Sequence, residues 1–357
     1  MAGRTERHAA ATPSTPLQSA GAKVDAETLA LLAEALERMG LLEGAVPSAV
    51  PLAGGVSSDI WRVDLRERSI CIKRALAKLR VAADWRAPVG RNANEVAWLR
   101  LAGAVVPDAV PAVLGEVPDL GMFAMAWLDP ASHPCWKQQL ADGRAEPATA
   151  EAVGARLARI HAHTAGVAAV AERFAADDIF HDIRLDPYLL ESARVHAEVA
   201  PALERLAADT LAGKRALVHG DVSPKNILVG PRGPVFIDAE CAWYGDPAFD
   251  VAFCLNHLLL KCLWLPPRRE AFLACFDALA SAYLAGVTWE PAAAIEARAA
   301  ALLPGLMLAR VDGKSPVEYL GDEADRARVR RVSIALLRAP AATLAAVRAA
   351  WRRELGA

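Results

Sequence analysis

From Ala26 the apolar positions Leu29, Leu32, Ala33, Leu36 and Met39 recur at three- and four-residue steps, the spacing of one face of an α-helix. Asp25 stands where a carboxylate can cap the first backbone N–H groups, and Gly40 stands where such a helix ends. From Val50 the period shortens to two. IWRVDL (60–65), SICIK (69–73), PAVLGEV (111–117) and GMFAMAW (121–127) read as antiparallel strands, with a helix at Asn92–Ala102 between them. After Asp129 helical spacing dominates, over Glu151–Thr164, Pro187–Ala212, Asp246–Lys261 and Arg268–Leu284. At least two further helices follow Trp289. The order predicts an α+β protein in which a small β-rich lobe (23–128) precedes a larger, mainly helical one (129–357). Residues 1–22, rich in Ala, Thr, Ser and Pro without apolar periodicity, read as a disordered tail.

Composition narrows the function classes. A net charge of −2 gives no pull toward nucleic acid or an anionic membrane, so neither is expected as a partner. The apolar run Val251–Leu265 contains Asn256, His257 and Lys261 and falls short of the roughly 20 residues a membrane span needs. It predicts a buried helix. No charged-then-apolar leader opens the sequence, and the six cysteines form no CxxC pair or disulfide framework. Free thiols in a reducing, cytoplasmic setting are expected. His161 and His163 are two apart, which on a helix sends their rings in different directions, so no zinc site is expected there.

The chemistry concentrates in HGDVSPKNILV (219–229) and VFIDAE (235–240). Apolar runs flank a loop that carries Asp221, with an amide, Asn226, five residues on and a second carboxylate, Asp238, at a strand end. Asn226 and Asp238 can give Mg²⁺ the oxygen ligands it prefers, and Asp221 can orient an alcohol and receive its proton. With the downstream GDPAFDVA (245–252), this string resembles the aminoglycoside phosphotransferase and choline kinase family, distant relatives of protein kinases. The resemblance implies a bilobal protein-kinase-like fold and ATP as phosphoryl donor, or GTP in its place, together with Mg²⁺. It also implies that His219 is a structural loop residue and that Asp250 secures the backbone of the catalytic loop, although Asp250 also suits a helix-start cap.

The nucleotide half follows the same resemblance. LAGGVSSDI (52–60) offers Gly54, Gly55, Ser57 and Ser58, whose backbone N–H groups and hydroxyls suit phosphates. Alternation along SICIK puts Cys71 and Lys73 on one face and Ile70 and Ile72 on the other. Lys73 matches the family lysine that contacts the α- and β-phosphates, and Cys71 would then lie against adenine. Glu95 shares a helical stripe with Trp98, Leu99 and Ala102, and a carboxylate there needs a cation, for which the family supplies Lys73. The backbone near Met125 to Trp127 would hydrogen-bond the adenine as the chain crosses between lobes.

The stretch from Asp238 to Asp250 is too short for the peptide-docking segment of a protein kinase, so the expected acceptor is a hydroxyl of a small molecule. Glu240 is placed to reach the metal through water or to meet that acceptor. Asp246, Arg310 and Asp312 are expected at the pocket walls, Asp312 with Glu318 for hydroxyls or amines and Arg310 with Lys314 for an anion. The stretches LRVAADWRAP (79–88), AWYGDPAFDVAFCLNHLLL (242–260) and LMLARVDGKSPVEYL (306–320) are similar at a distance to methylthioribose kinases, which lack an asparagine at the position of Asn226. The basic end, WRRELGA, argues against polycationic aminoglycosides, while Trp243, Tyr244, Trp264 and Trp289 could cage a choline-like ammonium. The alternative is a catalytically inactive, nucleotide-binding pseudokinase, against which Lys73, Glu95, Asp221, Asn226 and Asp238 are all present. Nothing in the sequence fixes an oligomeric state.

Overall fold

The computed structural model describes residues 24–42, 44, 48–52, 58–76 and 91–356. Gly54, Gly55, Ser57, the tail 1–22 and the stretch 79–88 lie outside the described residues.

Helix α1 (Ala26–Arg38) starts at Asp25, whose carboxylate accepts the Thr28 N–H at 2.7 Å. It buries Leu32, Ala35 and Leu36. Strands β1 (Ser48–Pro51), β2 (Ser58–Asp64), β3 (Ser69–Ala75), β4 (Val113–Val117) and β5 (Met122–Ala126) form one antiparallel sheet in the order β1-β2-β3-β5-β4. β1 escaped the sequence reading because four residues are too few to show a period. Alternation along β3 holds: Ile70 and Ile72 pack with Leu32, Leu36, Trp61 and Val63, while Lys73 lies on the other face.

Helix α2 (Arg91–Val105) links β3 to β4 in sequence but does not share the sheet's core. Its Val96, Trp98, Leu99 and Ala102 belong to the large core of the helical lobe. Trp98 alone withdraws roughly 200 Å² from water there. A cut after Leu128 therefore separates the strands but not the cores.

The helical lobe opens with α3 (Trp136–Ala141), α4 (Pro147–Thr164), α5 (Ala168–Arg173) and α6 (Asp177–Phe180), followed by a π-helical stretch, His181–Leu190, that contains Pro187. Then come α7 (Glu191–Val195) and α8 (Ala200–Ala212). The single helix expected over 187–212 is thus broken. Pro201 lacks the N–H that a continuous ladder needs, and it starts α8 instead.

Four short strands then carry the site: β6 (Ala216–Val218), β7 (Ile227–Gly230), β8 (Gly233–Phe236) and β9 (Trp243–Gly245). β6 pairs with β9 and β7 with β8, both antiparallel. Helices α9 (Ala248–Trp264), α10 (Arg269–Ala285), α11 (Ala292–Asp312), α12 (Glu323–Arg338) and α13 (Leu344–Glu354) complete the lobe, three of them beyond Trp289. α9 is buried from Ala248 to Leu263, as its apolar run predicts. α11 is long and apolar enough to cross a membrane by length and composition, yet Ile295, Ala299, Leu303 and Leu306 are packed in the core. All six cysteines are free.

Candidate active site

β6 delivers His219, Gly220 and Asp221 into the groove between the lobes. Gly220 has φ +79°, and a Cβ there would come within 2.6 Å of the Cys241 carbonyl oxygen, so no other residue fits this turn. Asp250, fully buried in the first turn of α9, accepts the His219 N–H at 2.7 Å and the Gly220 N–H at 2.8 Å. It does not cap α9, whose Ala248 N–H is taken by Asp246. Burial holds the His219 imidazole below its usual pKa and therefore neutral. Its Nδ1 accepts the Asp221 N–H at 3.2 Å, which assigns the proton to Nε2, facing the Ile237 carbonyl. The edge of Trp98 packs against this ring at 4.7 Å. His219 is a structural loop residue in this setting. Replacing Asp250 with alanine strands two buried N–H groups at about 1–3 kcal/mol each. The variant is expected to lose a large part of its stability, read as a lowered denaturation midpoint; an unshifted midpoint would contradict the account of the loop.

Across the groove, Lys73 Nζ meets Glu95 Oε2 at 2.6 Å and also contacts Asp238. Three elements, β3, α2 and the end of β8, converge on one ammonium. Burial opposes its charge, but Asp238, Glu95 and Glu240 outweigh that and hold it well above the usual lysine pKa. Burial pushes Glu95 upward against the pull of Lys73, while Lys73 and Lys225 overcome burial at Asp238 and hold it below the carboxylate range. Asp238 has φ +66°, the only non-glycine with positive φ among the described residues, which turns its carboxylate out of the β8 direction. Cys71 is buried beside Lys73 in β3 and opposite Met125 in β5. Trp127 leaves β5 under the guanidinium of Arg62, at 5.6 Å.

On the other side of the loop, Asp221 is buried and paired with Arg184 at 2.9 Å and Lys225 at 3.2 Å. Burial would raise its pKa, but Lys225 and Arg184 hold it below the usual carboxylate value, so it is ionised. Asn226 donates its amide to the Asp221 carbonyl at 3.2 Å, which leaves its oxygen as the outward end. Arg184 lies on the π-helical stretch, thirty-odd residues before the loop, and no local pattern announced it.

Several of the residues expected on the substrate side have partners within the chain. Glu240 is paired with Arg91 at 2.9 Å, a residue the sequence reading passed over, so it is held by the base of α2. Asp246 accepts from Arg298 at 2.7 Å as well as from Ala248, and it sits opposite the start of β6 because β9 runs back along that strand. The strand carries it away from the Asp221 end. Asp312 is occupied by His196 at 2.7 Å and accepts from both Nε and Nη2 of Arg330, a clamp between α11 and α12. Arg310 is closer to the chemistry: it reaches the Tyr188 hydroxyl at 3.1 Å, and Arg184 stacks on the same tyrosine ring. Among the expected cage aromatics, Trp243 is stacked on Phe180 in the core and Tyr244 bonds Arg215. A cleft of about 580 Å³ between α2 and the β4–β5 edge is lined by none of the loop residues.

An antiparallel five-stranded sheet over a helical lobe, with a lysine–glutamate pair facing a loop aspartate, defines a protein-kinase-like fold. Residues 48–261 match the model of the phosphotransferase enzyme family, and the chain belongs to that family. It is 27% identical over 235 residues to a methylthioribose kinase of Pectobacterium carotovorum, covering 57% of this chain and 58% of that protein. A methylthioribose kinase of Bacillus mycoides is 26% identical over 240 residues, covering 60% and 61%. The match thus spans less than two thirds of these relatives. Among solved structures, the fold is shared with an amicoumacin kinase (TM-score 0.56, 13% identity, 90% and 96% covered). It is also shared with the choline kinase of Cryptosporidium parvum (TM-score 0.54, 13% identity, 88% and 97% covered).

Proposed function

We propose that this protein transfers the γ-phosphoryl group of ATP, or of GTP in its place, to a hydroxyl of a small molecule. The observation that carries the reading is the convergence of Lys73, Glu95 and Asp238 on one side of the groove with Asp221 and Asn226 on the other. The residues fit Mg-ATP. Asn226 and Asp238 offer only oxygen to a hard cation, and the Ser58 and Ser223 hydroxyls are buried without a partner. Bound Mg-ATP supplies the electrophilic phosphorus and neutralises charge on its oxygens.

In this reading Lys73, steadied by Glu95, binds the α- and β-phosphate oxygens. Ser58 contributes a donor to them, as would Gly54, Gly55 and Ser57, which lie outside the described residues, and Cys71, Met125 and Trp127 frame the base. Asn226 and Asp238 would hold the metal. Asp221 orients the acceptor hydroxyl and takes its proton, so that the oxygen forms a bond to phosphorus as the bond to the β-phosphate oxygen breaks. The products are a phosphate ester, the nucleoside diphosphate and one proton. Arg184 and Lys225 keep Asp221 ionised and aimed. Between β9 and α9 there is no segment to dock a peptide, which favours a small acceptor. Incubation with Mg-ATP and a panel of alcohols, sugars and amino alcohols, read as acceptor-dependent ADP release, tests the proposal. Mg-dependent ATP binding with no release for any acceptor would favour the pseudokinase reading.

A further inference from the structure

Beside Asp221 a circuit of contacts closes on itself. Arg184, paired with Asp221, stacks on Tyr188 at 5.8 Å, and Arg310 stacks on Tyr188 at 5.6 Å. Tyr188 packs on Phe253 at 5.6 Å, and Phe253 on His257 at the same distance. Phe253, His257 and Lys261 are spaced by four along α9, so they line one face of it. Trp264 and Tyr319 stack on each other at 4.6 Å, and the Lys261 ammonium lies beside that stack, 4.4 and 4.5 Å from the two ring centres. Next to Tyr319, Glu318 pairs with Lys137 of α3, and two residues before Lys137 the thiol of Cys135 donates to the carbonyls of Pro224 and Lys225. That returns the path to the loop of Asp221.

The charge on this circuit is lopsided. Its cations are Arg184, Arg310, Lys225, Lys261 and Lys137, and its carboxylates are Asp221 and Glu318, each already paired. Among the described residues Arg310 has no carboxylate partner; it bonds the Tyr188 hydroxyl and Ser315, and its buried Nε has no acceptor there. Lys261 is 1% exposed, with the Trp264 and Tyr319 rings beside it and Glu318 as the carboxylate that acts on it. Burial and the neighbouring Lys137 bring its pKa down to about 7. The charges acting most strongly on His257 are all cations, Arg310, Lys261, Lys225 and Lys137, and with burial they keep it neutral. A buried ammonium whose neighbouring carboxylate, Glu318, is already paired with Lys137 is costly to maintain, and so is an arginine with an orphaned donor. An anion from outside relieves both.

We propose that the acceptor bears, besides its reacting hydroxyl, an anionic oxygen group, a carboxylate or a phosphate, seated on Arg310 and Lys261. This rests on the phosphotransferase reading above and names its substrate class. The same wall repels polycations and quaternary ammonium groups. The aromatic pair that could cage such a cation, Trp264 and Tyr319, is stacked on itself and already has Lys261 beside it.

The test uses the full chain saturated with Mg²⁺ and a non-hydrolysable ATP analogue, so that the γ-phosphate position is filled. Mg-dependent binding of the analogue is measured first and tests the phosphotransferase reading by itself. Glycerol, glycerate and glycerol 3-phosphate are then titrated calorimetrically. One anion is expected to bind at least tenfold tighter than glycerol, glycerate marking a carboxylate site and glycerol 3-phosphate a phosphate site. Arg310→Gln combined with Lys261→Met should erase that preference while the analogue still binds, and Arg310→Lys should retain most of it. The proposal is overturned if glycerol binds as well as both anions, or if the double variant keeps the preference. A double variant that no longer binds the analogue is misfolded, and Arg310→Gln against Arg310→Lys then decides.

Discussion

Asp221→Asn is expected to lower phosphoryl transfer by about 10³-fold or more while Mg-ATP affinity stays within a few-fold. On the proposed mechanism the carboxylate serves the acceptor, with Arg184 and Lys225 bracketing it, while Lys73, the proposed nucleotide contact, is held by Glu95 and Asp238 instead. Asparagine keeps the shape but cannot take a proton or neutralise two cations. Turnover and nucleotide binding should be measured on one preparation. Near wild-type turnover would remove Asp221 from the mechanism, and a parallel collapse of ATP binding would mean that the two sides of the groove are not separable as the geometry suggests.

Asp238→Ala should weaken Mg-dependent nucleotide binding by roughly 10- to 100-fold, and Asn226→Ala should do so less, because it removes a neutral ligand. The substitution has a second consequence. Asp238 sits at φ +66°, where alanine is disfavoured, and it shares Lys73 with Glu95. Asp238→Asn tolerates the same backbone and so separates metal loss from strain. Mg²⁺ titrations of all three variants decide the assignment, and an unshifted Mg²⁺ dependence in Asp238→Ala would refute it.

What the sequence revealed of the site was what lies close together in the chain. Asp221, Asn226 and Asp238 fall within one short run, and two-residue alternation was enough to turn Lys73 away from Ile72. The helical stripe of Glu95, Trp98 and Leu99 was likewise readable, since a period of 3.6 fixes the face whatever lies opposite. Arg184 and Arg91 were invisible because their meaning comes from partners far along the chain, Asp221 and Glu240. Asp246 was misplaced for a different reason. It follows Asp238 closely, but nearness in sequence does not tell which way β9 runs, and antiparallel pairing with β6 carries it to the far end. Asp312 and its neighbours looked like pocket chemistry because an acid in a polar stretch gives no hint that Arg330, a helix later, will occupy it.

The placement of α2 has a bearing on how the molecule comes apart. Its polar end holds Glu95 against the sheet's Lys73, while Trp98 and Leu99 are set in the other lobe's interior against His219 and Phe236. Neither lobe can melt alone without stripping one side of this helix: losing the helical lobe exposes its tryptophan, and losing the sheet leaves its buried glutamate without a cation. Denaturation is therefore expected to be coupled across the groove, so that the two lobes unfold as one cooperative unit.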